Sequence, residues 1–173
     1  CKLDVDINLN DKPWTPTKEF RGVFDGQHHK ITGLKVSVAG DYVGLFGQLS
    51  NDGRLSNLHV SGDVENTKPS EYDCAGGICG NNATGVIANC SFSGSVRGTG
   101  AVGGIAAQCN GKIISCKSPA SVLGKYAGGI AGRNSSGKCS IYGCYNEGVI
   151  ETEGGNAGGI YGKDDGFDFD IKG

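Results

Sequence analysis

The chain has 173 residues, enough for one domain with a buried core, and glycine accounts for 32 of them. No Gly-X-Y period is present, which excludes collagen, and the apolar residues recur too regularly for a disordered tract. The formal net charge of −2 leaves no basic stripe to neutralise phosphates, which argues against nucleic-acid binding. The apolar runs are short and interrupted by glycine, so we expect no membrane insertion.

The first stretch, "CKLDVDINL", alternates apolar and polar residues from its second position and predicts a strand. A lipid-bearing Cys1, as in a lipoprotein, is an alternative interpretation of the first residue. We expect residues 1–40 to form entry strands or a first coil and residues 41–162 to form the repeats. Residues 163–173, "KDDGFDFDIKG", are expected to be an acidic tail, which caps the last coil or begins another module.

A glycine-rich phrase recurs five times, in forms such as "VGLFG", "CAGGICG" and "YAGGIAG". The second glycines are Gly44, Gly77, Gly104, Gly129 and Gly159, at spacings of 33, 27, 25 and 30 residues. A second phrase follows each of the first four and ends at Leu58, Cys90, Cys116 and Cys144. A third β-type segment, such as "GDV" or "GSV", comes just after. Three short strand-like segments per repeat at this period are typical of a solenoid.

In a β-solenoid each repeat forms one coil, and equivalent residues stack at a strand spacing of ~4.8 Å. Glycine supplies positive φ at corners and lets two backbones approach closely. The aliphatic residue after each glycine phrase is then predicted to point inward as one ladder: Leu45, Ile78, Ile105, Ile130 and Ile160. The sequence therefore predicts an all-β solenoid of about five coils, with a core that exists only when repeats stack.

These motifs resemble the GLUG-repeat family. The resemblance is carried by "GLFG", "GGICG", "GGIAG" and "GGIYG", by "IANCSFSGSV", and by the opening "FRGVFDGQHHKITGLKV", and it covers roughly residues 2–162. It implies a right-handed parallel β-helix, found mainly in large secreted or surface-anchored bacterial proteins. These include adhesin-like proteins and the non-catalytic regions of IgA-cleaving metallopeptidases. The chain departs from the family pattern in its many cysteines and in "QHH" at 27–29.

The eight cysteines form an even set, which predicts disulfides in a protein of extracellular type. The disulfide candidates are Cys79, Cys90, Cys109, Cys116, Cys139, Cys144, Cys1 and Cys74. Three of them precede a ladder cysteine by 11, 7 and 5 residues, which would allow pairing within a repeat. A buried stack of reduced thiols at the ladder position is the alternative.

No residue is predicted to be catalytic, and no cofactor is expected. No acid recurs at an equivalent position in three repeats, as a catalytic groove across several coils would require. The aromatic candidates for ligand binding are Tyr72, Tyr126 and Tyr145, and the longest insertion, around residues 63–73, is the expected ligand region. No metal site is expected, and the weak candidates for calcium are Asp164, Asp165, Asp168 and Asp170, which lack an EF-hand register.

The sequence favours a non-catalytic structural or adhesive module, a stalk or assembly segment of an extracellular or cell-surface protein. A non-catalytic β-helix region of a large surface metallopeptidase is the first alternative, and a carbohydrate-active β-helix enzyme is the second. The open ends of a β-helix carry unpaired backbone groups. We therefore expect end-on partners, either neighbouring modules or other copies, and as a further possibility a glycan or host protein.

Overall fold

A computed structural model describes residues 1–172, and in this range every regular element is a strand. The chain winds as a parallel β-solenoid of about five coils, and the sides of the coils stack into four sheets. Across residues 1–172 the structure contains no helix that could cross a membrane. The predicted all-β solenoid is therefore confirmed.

The strands of each sheet are as follows. Sheet I contains β1 (Ile7–Asn8), β4 (Lys30–Val38), β8 (His59–Asn66), β12 (Ser91–Arg97), β16 (Lys117–Ser118), β17 (Ser121–Leu123), β21 (Tyr145–Asn146) and β22 (Ile150–Glu151). Sheet II contains β2 (Thr17–Phe20), β6 (Phe46–Leu49), β10 (Cys79–Asn82), β14 (Ala106–Cys109), β19 (Ala131–Arg133) and β24 (Tyr161–Lys163). Sheet III contains β3 (Val23–Asp25), β7 (Arg54–Ser56), β11 (Val86–Ala88), β15 (Lys112–Ile114), β20 (Cys139–Tyr142) and β25 (Phe169–Lys172). Sheet IV contains β5 (Tyr42–Val43), β9 (Cys74–Gly76), β13 (Ala101–Gly103), β18 (Tyr126–Gly128) and β23 (Asn156–Gly158).

The predicted aliphatic ladder runs through the core. Ile78, Ile105 and Ile130 are fully buried. Ile78 N donates to Ile105 O at 3.0 Å, and Ile105 N donates to Ile130 O at the same distance. Leu45 is also buried, whereas Ile160 in the last coil is only half-buried. Full burial of such a side chain is worth roughly 1.5–3 kcal/mol, and each rung obtains that burial from the coils on either side.

A left-handed residue turns the chain between sheets III and I. The residues at this corner have φ values of 53°, 52°, 51° and 57°, and they are Asn57, Asn89, Ser115 and Gly143. Asparagine tolerates this conformation better than most residues, which explains the asparagine in "SNL" and "ANC". The first coil turns here with two left-handed residues, Gln27 and His28, so the "QHH" departure is a change in turn geometry.

The Gly-Gly-Ile phrase folds sheet IV sharply against sheet II. A Cβ on Gly76 would overlap the carbonyl of Cys79 in the same coil, and a Cβ on Gly80 would lie 2.5 Å from Val43 N in the preceding coil. Glycine therefore allows the two arms of the fold to lie backbone against backbone, with Ile78 in the core at the tip. The open side of this fold, between the edges of sheets IV and II, faces away from the core, and we call it the mouth.

The acidic segment after Gly162 continues the solenoid. β25 pairs in parallel with β20, and Ile171 lies beside Ile141. Residues 169–172 therefore form the sheet III side of the last coil, and the division of the chain at residue 163 stays a prediction. Gly173, the final residue of the predicted tail, lies outside the described residues.

Candidate binding cleft

Two ladders of side chains border the mouth between sheets IV and II. Sheet IV contributes, in register, Tyr42, Cys74, Ala101, Tyr126 and Asn156. Sheet II contributes, in register, Glu19, Gln48, Asn81, Gln108, Arg133 and Lys163. In the middle coils the mouth is closed, because Cys74 and Ala101 are fully buried in a small apolar cluster separate from the main core. Burial raises the pKa of the Cys74 thiol to about 12.

The loop that precedes β9 is anchored beside this mouth. Its closing residue, Asp73, is buried and accepts a hydrogen bond from Ser70 N at 3.1 Å. Thr99 Oγ1, from the next coil, donates within 3.0 Å to Ser70 O. Lys68 Nζ lies 2.5 Å from an Asp41 carboxylate oxygen and 3.5 Å from one of Asp73. These bonds fix the backbone on both sides of Tyr72, so the ring is held out from a rigid support.

At the C-terminal end of the mouth, three aromatic rings from three chain segments border one cleft of about 460 Å³. Tyr72 comes from the anchored loop, Tyr126 from β18, and Phe167 from the turn between β24 and β25. The Tyr72 ring is 71% exposed and Phe167 is 42% exposed, whereas Tyr126 is half-buried. The structure thus brings together two of the three predicted aromatic candidates, Tyr72 and Tyr126.

The third candidate, Tyr145, lies elsewhere. It sits on β21 in sheet I, 49% exposed, with Lys117 Nζ 5.2 Å from its ring centroid. Lys117 is its register partner in the preceding coil. Tyr145 therefore belongs to a flank of the solenoid and not to the cleft.

Charged groups surround the Tyr126 ring. Lys163 Nζ lies 4.5 Å from the ring centroid and Lys125 Nζ lies 5.5 Å from it, within range of cation–π attraction. Lys125 also pairs with Glu71, which lowers the pKa of that carboxyl group. Lys163 pairs with Asp165 at 2.6 Å, which raises the pKa of the ammonium group. Each lysine at the cleft therefore has a carboxylate partner.

Arg133 lines the same cleft and has no such partner in residues 1–172. Its Nε is buried and lacks a hydrogen-bond acceptor within the described part of the chain. A buried donor without an acceptor costs about 1–3 kcal/mol, more when the group is charged. Among its described residues the cleft is therefore lined by one cation without a carboxylate partner, Arg133.

Sequence analysis did not identify Arg133, Lys163 or Phe167. For the first two a signal existed, because the third residue after the ladder aliphatic is polar in every repeat: Gln48, Asn81, Gln108, Arg133 and Lys163. For Phe167 there was no signal, since its position depends on the turn that brings β25 back onto β20.

One disulfide is present, between Cys109 and Cys139, with their Cα atoms 5.3 Å apart. Cys109 ends β14 and Cys139 begins β20, so the bond joins consecutive coils. The hypothesis of pairing within a repeat is therefore wrong for these two residues. The reason is geometric: the ladder cysteine of the same coil lies beyond another side of that coil, whereas stacking brings the next coil within disulfide range.

The other six cysteines are free: Cys1, Cys74, Cys79, Cys90, Cys116 and Cys144. Cys90, Cys116 and Cys144 stack at the ladder position, as the alternative interpretation of reduced thiols predicted. Hydrogen bonds with Cys144 and Cys90, together with burial, raise the pKa of Cys116. Burial likewise raises the pKa of Cys79 to about 12, so the thiols of Cys79 and Cys116 pack as small apolar groups.

The four acidic residues proposed for calcium do not converge. Asp165 pairs with Lys163, Asp164 accepts from Gly166 N at 2.8 Å, and Asp170 accepts from Tyr142 Oη at 2.8 Å. Within residues 1–172 no group of three His, Cys, Asp or Glu side chains could hold a metal ion. The calcium hypothesis is not supported, because three of these carboxylates have separate partners and only Asp170 lies on β25, whereas the other three precede it.

Parts of this chain are similar in sequence to two known proteins. "Halomucin" of Haloquadratum walsbyi is 31% identical over 104 residues, which cover 60% of this chain and 1% of the relative. A "Putative Gly-rich membrane protein" of Evansella cellulosilytica is 32% identical over 97 residues, covering 51% of this chain and 11% of the relative. The chain thus spans only a small part of the length of these two relatives.

A crystal structure of a "putative immunoglobulin A1 protease" from Bacteroides ovatus superposes with a TM-score of 0.81 at 32% identity. The match covers 98% of this chain and 56% of that one. Residues 72–97, which comprise the end of the anchored loop and the coil from β9 to β12, match the model of the GLUG motif. The resemblance to GLUG-repeat proteins is therefore confirmed, with the motif at Tyr72–Arg97.

Proposed function

We propose that the chain is a non-catalytic structural and adhesive module of an extracellular surface protein, and that a further coil stacks end-on on its last coil. The names of the relatives, a halomucin and a membrane protein, support a surface location. An unbroken parallel ladder over the whole described chain suits a rigid spacer.

The observation that carries the proposal is an unfilled space above Gly159. A Cβ on Gly77, Gly104 or Gly129 would overlap the backbone carbonyl of the next coil. The equivalent Cβ on Gly159 would meet nothing within 4 Å. Glycine costs conformational entropy on folding, and its own coil gives no reason for it at this position. A further coil seated on the last one would give that reason.

Both ends of the solenoid expose apolar side chains. Val149 and Ile171 are 61% and 43% exposed in the last coil, and Val5 and Val23 are 64% and 56% exposed at the first. Both ends also present strand edges, which are templates for pairing with another chain. In a solution of the purified protein the available partner is another copy, so head-to-tail stacking would give open linear assemblies.

The experiment compares Gly159→Val with Ser121→Val, an exposed position on the flank of sheet I. Sedimentation velocity and negative-stain microscopy across a concentration series would measure assembly. We expect linear oligomers for the wild type and for Ser121→Val, and monomers of unchanged thermal stability for Gly159→Val. A wild type that stays monomeric at all concentrations would contradict end-on stacking.

A second candidate is a non-catalytic region of a large surface peptidase, which the likeness to the Bacteroides ovatus protein favours. We further propose that the chain has no catalytic activity of its own, and an incubation experiment tests this directly. The purified chain is incubated with a panel of polysaccharides and with immunoglobulin A, and products are followed by mass spectrometry. Turnover of any of them would contradict a purely structural and adhesive role.

A further inference from the structure

The geometry points to a sugar bearing a carboxylate as the ligand of the cleft formed by Tyr72, Tyr126, Phe167 and Arg133. This inference rests on the adhesive part of the proposed function and names its ligand class. It does not depend on end-on stacking.

Two aromatic side chains at the border of the cleft are exposed to solvent. The Tyr72 side chain is the most exposed large apolar group in the described chain, at 71%, and Phe167 is 42% exposed. A rigid ring held in water at the border of a concave site suits a flat partner with an apolar face. The C–H face of a pyranose ring is such a surface.

The charged side chains that line the cleft favour a negatively charged ligand. The cleft is lined by two cations, Lys163 and Arg133, and by two carboxylates, Glu71 and Asp165. Asp165 pairs with Lys163, and Glu71 pairs with Lys125, which lies outside the lining. The remaining positive charge belongs to Arg133, whose Nε has no acceptor in residues 1–172. A ligand carboxylate would supply the missing opposite charge, and the planar guanidinium group can bind it in a bidentate manner through its two terminal nitrogens.

The shape of the cleft suits a single sugar unit. Lys163 over the Tyr126 ring closes the inner wall of the cleft, while Tyr72 and Phe167 remain exposed at its border. A single uronate residue can therefore place its ring against the exposed aromatics and direct its carboxylate to Arg133. A cleft of about 460 Å³ has room for a saccharide unit of this size.

The test measures binding of oligogalacturonate and of its methyl ester, which keeps the sugar rings and removes the charge, by isothermal titration calorimetry. We expect the acid to bind and the ester to bind at least about tenfold more weakly, from the loss of a charge-assisted bond. Arg133→Gln should remove this preference. Tyr72→Ala should weaken binding of the acid by about tenfold, since it removes the stacking ring.

Tyr145→Ala is the matched control, because it removes an exposed tyrosine from another sheet. It should bind as the wild type does. Circular dichroism and melting curves verify that each variant folds. Equal affinity for acid and ester, unchanged binding by Tyr72→Ala, or preferential binding of a polyglutamate peptide would overturn the inference. None of these results bears on the stacking experiment with Gly159→Val, so the two can fail separately.

Discussion

A matched pair of glycine substitutions tests the coil geometry most directly. Gly129 and Gly159 occupy equivalent positions in consecutive coils, and neither has the positive φ that would strain another residue. In Gly129→Ala the new methyl group would overlap the carbonyl of Gly159 and approach Asn146 Cγ at 2.5 Å. In Gly159→Ala the same group would enter open space.

The destabilisation by Gly129→Ala can be estimated from the contacts between the two coils that the new methyl group would push apart. The coils are bonded at this point by Gly129 N to Gly158 O at 3.1 Å and by Ile130 N to Ile160 O at 2.9 Å. Overpacking costs about 1–3 kcal/mol, and weakening one or two backbone hydrogen bonds adds about 1 kcal/mol each. We therefore expect Gly129→Ala to lower the free energy of unfolding by about 2–5 kcal/mol. Gly159→Ala should raise it by about 0.4–1 kcal/mol, through the reduced entropy of the unfolded chain.

Urea denaturation followed by circular dichroism, at a concentration where the protein is monomeric, measures both values. The free energies of unfolding of the two variants should differ by about 2.4–6 kcal/mol. Equal destabilisation of both variants would refute the idea that the last coil presents a vacant stacking surface. An unaffected Gly129→Ala variant would refute the close contact between coils.

The disulfide, the inward ladder and the first coil can each be tested separately. Thiol counting under denaturing, non-reducing conditions should find six free thiols, and peptide mapping should join Cys109 to Cys139; replacing both by serine should cost ~3–4 kcal/mol, given a separation of 30 residues. Ile105→Asp places an unpaired charge in the fully buried ladder and should cost several kcal/mol or prevent folding, and a soluble variant as stable as the wild type would disprove the register. Hydrogen bonds from the Asn57 side chain and from Gln27 N lower the pKa of Asp25 in the folded state. The contribution of Asp25 to stability is therefore complete above its unfolded-state pKa of about 3.9, and it is lost as the pH falls through its lower folded-state pKa. Hydrogen exchange should therefore show the first coil opening earlier in acid than the coil from β13 to β17, and Asn57→Ala should reduce that difference.

The sequence was sufficient to predict the coil because the repeat register makes each ladder visible as a period. The inward aliphatics, the stacked cysteines and the corner asparagines each occupy one position per repeat. Ile78 and Ile105 show that an aliphatic residue recurring after two glycines is enough to predict burial. The same logic explains the half-buried Ile160: in the described chain the ladder ends there, and burial requires a neighbour on both sides.

What the sequence could not predict depends on contacts between coils at positions without a repeat. The partner of Cys109 could not be predicted, because a disulfide requires two residues on facing sides of the same or neighbouring coils. The turn lengths that determine the side and the coil of each cysteine vary among the repeats. The role of residues 163–173 stayed open for a related reason. "KDDGFDFDIKG" lacks the expected phrase, yet Ile171 still supplies the apolar residue that stacks beside Ile141.

The position of the cleft follows from where the ladders change composition. In the middle coils the small residues Cys74 and Ala101 allow the mouth to close, leaving Gln108 only 4% exposed and no room for a ligand. At the next coil Tyr126 takes the place of the small residue, and the mouth opens beside the rigid loop that carries Tyr72. The stacking core and the candidate ligand site thus use different side chains of the same coils. Replacing the residues that line the mouth would alter recognition while the inward ladder, and with it the fold, stayed the same.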